Sequence, residues 1–573
     1  MGNFSKNPGI PRLNRIAIVC NSPVNESKEL YTNPPDKDAF ATAKACGFNV
    51  VMYPGSEVLQ NNEWIEYMDT ALTNCSKLGI KLISNSPILN YTGKNKPNWH
   101  TEFVEHYIPI EGPIDNLTKE EQEFQQSLDA LVGWQFKDEP LYYNLFTPYH
   151  YYIKVQGNSS TIMTPEEVTE EDLKHLVQDP EDGMSKKILD DGKIPDQGLH
   201  SLVTDLGLGS SNGSNNNGAN DDTNEDYKLY QKDLEDLSVH YETIKGIDTN
   251  RPVFANLAVD SHLDADKRKI WIGHNSTYNE FLDEYISKFN PPLLSYDYYP
   301  IETLKDDKGK DVEVFQEDAF YQNLLMFANK SKQYNIPFWA YCLCLEHLSG
   351  PGGRHYPYPT EGMMRIEAFS ALAFGAQGIV YWKYRLDDLN SETGNDQPSQ
   401  SNSASNGVGS VNKAESETGD KGVPVYGEDG ITTSVWESIK KINEDINKEN
   451  DKFFNCTFIN HRLCDGNHEY GMNGKAGIDK IKASGRGFLM TRIETPDPEK
   501  KDSNGESVIN KYIVIVSRDP FNSQELQWLK VQDSNSTIGK DIYTPVLQDT
   551  GYYVNDPWYK EILPPGGYKI FKC

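Results

Sequence analysis

The sequence predicts an α/β protein, a (β/α)8 TIM barrel followed by a C-terminal all-β sandwich-like domain. Strand-like and helix-like segments alternate eight times over residues 15–450, which indicates a parallel sheet closed into a barrel. The eighth strand has its own helix, and no strand is followed by the Gly-rich turn of a dinucleotide-binding open sheet. An open doubly wound sheet is the alternative. From about residue 452 the pattern changes to short β-like runs without a long helix, which predicts the second domain.

The eight predicted strands are short apolar runs that end in polar or turn residues. In chain order they are RIAIVCNSP, VVMYPG, KLISNSPIL, WQFKDEP, RPVFANLAVD, PPLLSYDYYPI, IPFWAYCLCLEHL and GIVYWKYRL. The segments between them carry helical patterns, for example NEWIEYMDTALTNCSKLGI. Gly47 and Gly79 stand where the first two helices should end.

Two inserts interrupt this alternation. We predict a catalytic barrel over residues 1–451, with low-complexity inserts near 205–225 and 390–420, and a β-sandwich domain over 452–573. An acidic stretch precedes the first low-complexity part, within residues 141–225. Both inserts follow a strand and precede its helix. In a barrel that position is the catalytic face, where insertions shape the rim of the pocket.

Composition excludes several classes of partner. The formal charge of −30 and the pI of about 4.8 argue against nucleic acid and anionic membranes, which bind basic patches. The longest apolar runs are too short for a membrane span. No C-x-x-C or H-E-x-x-H metal-ligand spacing occurs, so we expect no metal. We expect no organic cofactor either. The first residues lack the apolar core of a signal peptide, so we expect either that the protein stays inside the cell or that an export signal has been removed.

The fourth predicted strand ends in three charges, and strand alternation assigns them to faces. Trp134 and Phe136 share a face that suits the helices, whereas Gln135, Lys137 and Glu139 share the other. Glu139 is therefore predicted to point into the barrel mouth. The alternative is that Glu139 is a strand-end charge that meets solvent.

The same alternation applies to the seventh strand. One face carries Phe338, Ala340, Cys342, Cys344 and Glu346, and because most of these side chains are small we predict that this face lines the barrel interior. The bulky residues between them, including Trp339 and Tyr341, are predicted to face the helices. Glu346 then lies over the barrel mouth, although its loop offers other candidates.

Two carboxyl groups that face each other across a pocket are what a glycosidase requires. A retaining enzyme holds them about 5–5.5 Å apart, one as acid/base and one as nucleophile, and we assign Glu139 and Glu346 to these roles. An inverting enzyme needs a separation of about 6.5–9.5 Å, and Asp297 at the end of the sixth strand would then be the base. Asp297 is also suited to orient a catalytic group, to bind a sugar hydroxyl or to cap loop amides.

Other polar and aromatic residues stand at strand ends. Tyr299, Trp382 and Tyr384 are candidates for stacking on a sugar, with core packing as the alternative. Asn256 is suited to hydroxyl recognition and equally to closing a loop, as are Asn21 and Asn85 of the first and third strands. His347 is expected at the rim of the pocket. These residues predict a carbohydrate ligand.

The segments GWQFKDEP, LLSYDYYP, PFWAYCLCLEH and MRIEAFSALAFGAQGIVYWKY resemble glycoside-hydrolase-like barrel proteins of gut Bacteroidetes. These proteins are similar to clan A glycosidases, which include the family 42 type β-galactosidases, and the resemblance covers most of residues 15–450. It implies a retaining mechanism, with Glu139 matching the acid/base and Glu346 the nucleophile. It also implies substrate binding by Asp138, which departs from the family pattern because an Asn that holds the sugar 2-hydroxyl usually stands there.

The resemblance implies a location as well. Similar proteins are exported to handle glycans, which favours the periplasm or the cell surface. An alternative from a different functional class is a barrel that binds glycans but has lost catalytic activity, because a fold does not determine a function.

Overall fold

A computed structural model gives the structure of the protein. It describes residues 13–21, 37–53, 63–86, 89, 99–110, 116–138, 152–156, 159–163, 176–178, 186–189, 225–259, 278–306, 308–348, 355–386, 423–426, 431–472, 475, 478–530 and 558–573.

Eight parallel strands form a closed barrel, which confirms the predicted fold class. They are β1 Ala17–Asn21, β2 Val50–Met52, β3 Lys81–Ser84, β4 Leu131–Asp138, β5 Val253–Ala258, β6 Leu294–Asp297, β7 Phe338–Leu343 and β8 Gly378–Trp382. Each strand pairs with the next in the chain, and β8 pairs with β1 to close the ring. All eight carboxyl ends therefore meet at one mouth.

Helices follow the strands in the predicted order. They are α1 Lys37–Ala45, α2 Glu63–Leu78, α3 Trp99–His106, α4 Lys119–Ser127, α5 Glu225–Ile247, α6 Tyr278–Phe289, α7 Glu317–Tyr334, α8 Glu361–Ala373, α9 Ser434–Lys448 and α10 Asn450–Phe453. Local signals set their ends. Thr118 and Glu121 form a capping box at the start of α4, and Asn335 ends α7 in the left-handed conformation with φ of 56°. Within the described residues, no helix combines the length and apolar content that crossing a membrane requires.

One apolar cluster fills the barrel interior. Every strand contributes to it, either with its own residues or with the residue just before it. Its buried members are Leu13, Ala17, Val19, Val50, Met52, Ile83, Val132, Phe254, Leu293, Trp339, Tyr341 and Val380. The predicted faces of β7 are therefore wrong. Trp339 and Tyr341 point inward, whereas Phe338 packs against Phe327 of α7, with ring centroids 6.5 Å apart.

The reason for this reversal lies in the neighbouring strand. Trp339 pairs with Gly378 of β8, and a Cβ added to Gly378 would lie 2.5 Å from the Trp339 ring. The missing side chain on β8 thus makes room for a large one on β7. The expectation that small residues line the barrel interior fails here, because a glycine on the neighbouring strand leaves room for a large inward side chain.

The predicted faces of β4 are correct from Trp134 to Phe136. Trp134 donates from its indole nitrogen to Asp248, and Phe136 packs against Tyr241 of α5, so both face the helices. A β-bulge then changes the alternation, because Gln135 pairs with Phe254 but Lys137 pairs with the next residue, Ala255. As a result Asp138 joins Gln135 on the inner face.

Small sheets follow several barrel strands. One comprises Tyr152–Gln156, Ser159–Met163, Leu176–Gln178 and Lys186–Leu189, a second comprises Ile301–Lys305, Asp311–Phe315, His347–Leu348 and His355–Tyr356, and a third comprises Arg385–Leu386, Val425–Tyr426 and Ile431–Thr432. The first lies in the acidic stretch, where the sequence analysis did not predict strands. The low-complexity inserts predicted near 205–225 and 390–420 fall almost entirely outside the described residues.

The chain divides into two compact units, residues 1–359 with 378–444, and residues 360–377 with 445–573. The second unit contains two four-stranded antiparallel sheets. One comprises Thr457–Cys464, Phe488–Lys501, Ser507–Ser517 and Tyr568–Lys572, and the other Tyr470–Gly471, Ile478–Ala483, Gln524–Lys530 and Trp558–Leu563. Ile513 of the first sheet and Ile481 of the second share one buried core, so the unit is a sandwich, as predicted. The predicted boundary between residues 451 and 452 stays a prediction.

Candidate active site

Four polar side chains from β4, β5 and β6 form one hydrogen-bonded cluster at the barrel mouth. The Asn256 Nδ2 atom donates to Asp138 Oδ1 at 3.0 Å and to Asp297 Oδ1 at 3.1 Å. The Ser295 hydroxyl donates to Asn256 Oδ1 at 2.9 Å. Asn256 and Ser295 are buried, whereas Asp297 is half-buried and Asp138 is exposed. The cluster therefore turns its carboxylates toward the mouth and keeps its amide below them.

A second layer of polar groups supports Asp138 from the barrel interior. Gln135 Nε2 donates to Asp138 Oδ1 at 3.4 Å, and the Tyr341 hydroxyl donates to Gln135 Oε1 at 3.3 Å. Burial, and next the charges of Asp138 and Asp297, raise the pKa of Tyr341 well above its usual value. Tyr341 therefore remains a neutral hydrogen-bond donor at any working pH.

A group of aromatic side chains lies at the same barrel mouth, where β6 and β8 end. Tyr299 and Trp382 are nearly parallel, with centroids 5.7 Å apart and planes inclined by 14°. His347 meets Trp382 edge-on at 5.0 Å, and Tyr356 meets Tyr299 edge-on at 5.7 Å. Tyr299, Trp382 and His347 are half-buried, so each keeps some exposed surface. The structure thus brings together three of the predicted stacking and rim residues.

Glu346 lies three residues beyond the end of β7, at the start of a short hairpin. Its Oε1 atom is 3.0 Å from His355 Nε2, and the side chains are 49% and 41% exposed. The alternation that was expected to carry Glu346 inward ends with the strand at Leu343. The position of its carboxylate is set by the hairpin instead.

Two further residues, Glu139 and Tyr384, were predicted to belong to the site. Glu139 lies outside the described residues. Tyr384 is fully buried, its hydroxyl accepts a hydrogen bond from Trp436 Nε1 at 2.8 Å, and its ring meets Phe48 edge-on at 5.3 Å. The prediction that Tyr384 stacks on a sugar is therefore wrong, because the ring has no face left for a ligand.

The hydrogen bonds of Gln135, Ser295 and Tyr341 in this network were not predicted from the sequence. The identities of these residues give a weak signal, since a polar residue in a barrel strand must find a partner, but the partner is not visible in the sequence. Asn85, at the end of β3, keeps a buried Oδ1 atom with no hydrogen-bond partner. Among the residues that the structure describes, no group of three or more His, Cys, Asp or Glu is arranged to hold a metal ion.

Comparison with known proteins gives one family match. The profile of glycoside hydrolase family 42, described as Beta-galactosidase, matches residues 218–412, about a third of the chain. The matched stretch includes Asn256, Asp297, Glu346 and Trp382 but not β4. The comparison with curated proteins finds no match.

Solved β-galactosidase structures share a distant likeness with the chain. The enzyme from Rahnella sp. R3 has 9% identity and a TM-score of 0.44, over 99% of both chains. The enzyme from the psychrophilic Marinomonas ef1 has 10% identity and a TM-score of 0.39, over 75% of this chain and 60% of its own. The enzyme from Bacillus circulans sp. alkalophilus has 11% identity and a TM-score of 0.39, over 78% and 58%.

This chain thus spans about three fifths of the length of the latter two enzymes. With TM-scores below 0.5, these likenesses carry no weight for the site. The family match confirms the resemblance predicted from the sequence: the chain is a (β/α)8 barrel protein similar to the β-galactosidases of glycoside hydrolase family 42.

Proposed function

We propose that the protein is a glycoside hydrolase that cleaves an oligo- or polysaccharide at the barrel mouth. The observation that carries the proposal is that one barrel mouth holds both the cluster of Asp138, Asn256 and Asp297 and the half-buried rings of Tyr299 and Trp382. Carboxylates and amides bind sugar hydroxyls, and flat rings pack against the apolar face of a sugar. The family match over residues 218–412 supports the reaction class.

In the proposed retaining mechanism, Glu346 attacks the anomeric carbon while Glu139 donates a proton to the leaving oxygen. The glycosidic bond breaks and a glycosyl–Glu346 ester forms. Glu139, now a carboxylate, takes a proton from water, and the water oxygen attacks the same carbon and releases Glu346. No electron donor or acceptor is needed, which agrees with the expectation that no cofactor is required.

In this proposal the remaining residues of the site bind the substrate or hold the binding groups in place. Asp138 and Asp297 accept hydrogen bonds from hydroxyl groups, and Asn256 holds both carboxylates in place. Tyr299 and Trp382 pack against the sugar ring, and His347, which touches Trp382, borders them. Tyr384 is no longer among these residues.

The first test is a panel of aryl glycosides, including β-galactosides, with wild-type protein and the variants Glu139→Gln and Glu346→Gln. We expect kcat to fall by about 10³-fold or more in both variants, since each removes a group that takes part in bond breaking. Glu120→Gln, an exposed residue of α4, is the matched control and should keep wild-type kinetics. Thermal unfolding of each variant verifies that the fold is intact. Full activity in Glu139→Gln would contradict the acid assignment.

One observation favours the inverting alternative: Asp297 lies at the barrel mouth and shares a hydrogen-bond donor with Asp138. In that mechanism Asp297→Asn should be as damaging as Glu139→Gln, and Glu346→Gln should remain active. The anomeric form of the first product, followed by NMR, separates the two: retention requires a nucleophile, and inversion requires a base.

A barrel that binds glycans without cleaving them is the remaining alternative. It predicts no turnover of any aryl glycoside together with measurable affinity for oligosaccharides in calorimetry. Location in the periplasm or at the cell surface is a further part of the proposal, supported by the resemblance, and fractionation of producing cells tests it.

A further inference from the structure

One buried side-chain amide, that of Asn256, contacts three other polar side chains of the candidate site. A side-chain amide has a donor end and an acceptor end, and at Asn256 the donor end faces two carboxylates while the acceptor end faces the Ser295 hydroxyl. We propose that Ser295 is a positioning residue, which holds Asn256 so that one nitrogen bridges Asp138 and Asp297. The inference rests on the proposed function, because its consequence is the placement of two substrate-binding carboxylates.

The bridge limits how far apart the carboxylates lie. Both Oδ1 atoms are within 3.1 Å of the same nitrogen, so they are at most about 6 Å from each other. Two ionised carboxylates at this distance repel, and a donor shared between them offsets the repulsion. If the amide turned over, its oxygen would face the two carboxylates and add to the repulsion.

Ser295 is well placed to prevent this rotation. It pairs directly with Asn256 in the register of β6 and β5, so both side chains lie at the same level of the barrel. Both residues are almost completely buried, at 0% and 1% exposure, which leaves little room for water to replace the hydroxyl. Strand positions also hold side chains more accurately than loop positions do.

A double-mutant cycle tests the proposal. For the aryl glycoside that wild-type protein cleaves, kcat/KM is measured for Ser295→Ala, Asn256→Ala and the double variant. We expect Ser295→Ala to lower kcat/KM on the order of 10-fold, because it leaves the buried Asn256 oxygen without a partner. If Ser295 acts through Asn256, the double variant should be no worse than Asn256→Ala alone. Two losses that multiply, or wild-type kinetics in Ser295→Ala, would overturn the proposal.

Two further variants separate positioning from general packing. Ser84→Ala makes the same substitution at another fully buried serine that ends a barrel strand, β3, and should leave kcat/KM unchanged. Ser295→Thr keeps the hydroxyl and should retain most of the activity. Thermal unfolding of all variants shows whether each one folds. A Ser84→Ala loss as large as that of Ser295→Ala would mean that the effect is packing alone.

The failure of the proposed function would be seen separately, as wild-type protein that cleaves no glycoside. High-resolution crystal structures of wild-type protein and Ser295→Ala would then decide the inference. The Asn256 nitrogen should lose contact with at least one aspartate in the variant. An unchanged bridge would show that Ser295 does not position Asn256.

Discussion

Arg251 and Asp248 form a buried ion pair just before β5. Arg251 Nη1 lies 2.7 Å from Asp248 Oδ2, and the side chains are 3% and 1% exposed. The guanidinium also donates to the backbone oxygens of Leu131, Tyr107 and Leu128. These contacts tie the starts of β4 and β5 together at the end of the barrel away from the mouth, where residues serve stability.

At the residue scale we predict a large stability loss for Arg251→Met. The change leaves the Asp248 carboxylate buried without its charge partner, and we expect it to cost about 3–5 kcal/mol. Urea unfolding followed by tryptophan fluorescence measures the shift of the barrel transition. Lys119→Met removes an ion pair whose side chains are 87% and 58% exposed, and should change the midpoint little. Equal shifts in the two variants would contradict the assignment.

The residue scale also shows where the site could be predicted. Asn256 and Asp297 were named because polar residues at the carboxyl ends of parallel strands meet at one mouth, whereas Asp138 was named only through the family resemblance. Their mutual bonds could not be found, because a β-bulge between Gln135 and Lys137 decides which side chains of β4 face inward. A bulge adds one residue to one strand, and no pattern in the strand itself required it.

At the element scale, β7 and β8 fit together through one large and one absent side chain. Trp339 of β7 fills the space beside Gly378 of β8. Both faces of a strand in a parallel barrel are apolar, so alternation does not tell the inner face from the outer one. The eight strands were therefore predicted correctly as elements, but the faces of β7 were not.

We predict that Gly378→Ala destabilises the barrel by about 1–3 kcal/mol, because the new Cβ collides with the Trp339 ring. Gly246→Ala is the control, since it adds the same methyl group to an exposed position of α5 with open space around it. That change should be neutral or stabilising by up to about 1 kcal/mol. Thermal unfolding of both variants measures the difference. Gly378→Ala with wild-type stability would mean that Trp339 can move aside.

At the scale of the whole molecule, charge is the dominant feature. The chain has 85 acidic and 55 basic residues, which gives a formal charge of −30 at pH 7. Such an excess destabilises the compact state through self-repulsion, which salt screens. Among the described residues only a few charged side chains, such as Asp248 and Arg251, are buried, so we expect the charge to influence stability and solubility more than the fold.

We predict that raising the ionic strength from about 0.01 M to about 0.15 M at pH 7 raises the midpoint of thermal unfolding, because the Debye length falls from about 30 Å to about 8 Å. Near the pI of about 4.8 the same salt change should have a smaller effect, because the net charge is close to zero. Calorimetry at both pH values measures the shift of the unfolding midpoint with salt. A midpoint at pH 7 that falls with added salt would show that attractive ion pairs outweigh the net repulsion.

The sequence by itself determined the order of strands and helices, the closed barrel, the all-β second domain and the mouth as the place for polar residues. These follow from local periodicity and from the rule that parallel strands share one carboxyl end. Only the tertiary structure decided that Trp339 and Tyr341 fill the barrel, that Tyr384 is buried, and that Ser295, Asn256, Asp138 and Asp297 form one network. Those outcomes depend on which side chains from distant segments pack into the same space. The local sequence of one strand does not contain this information.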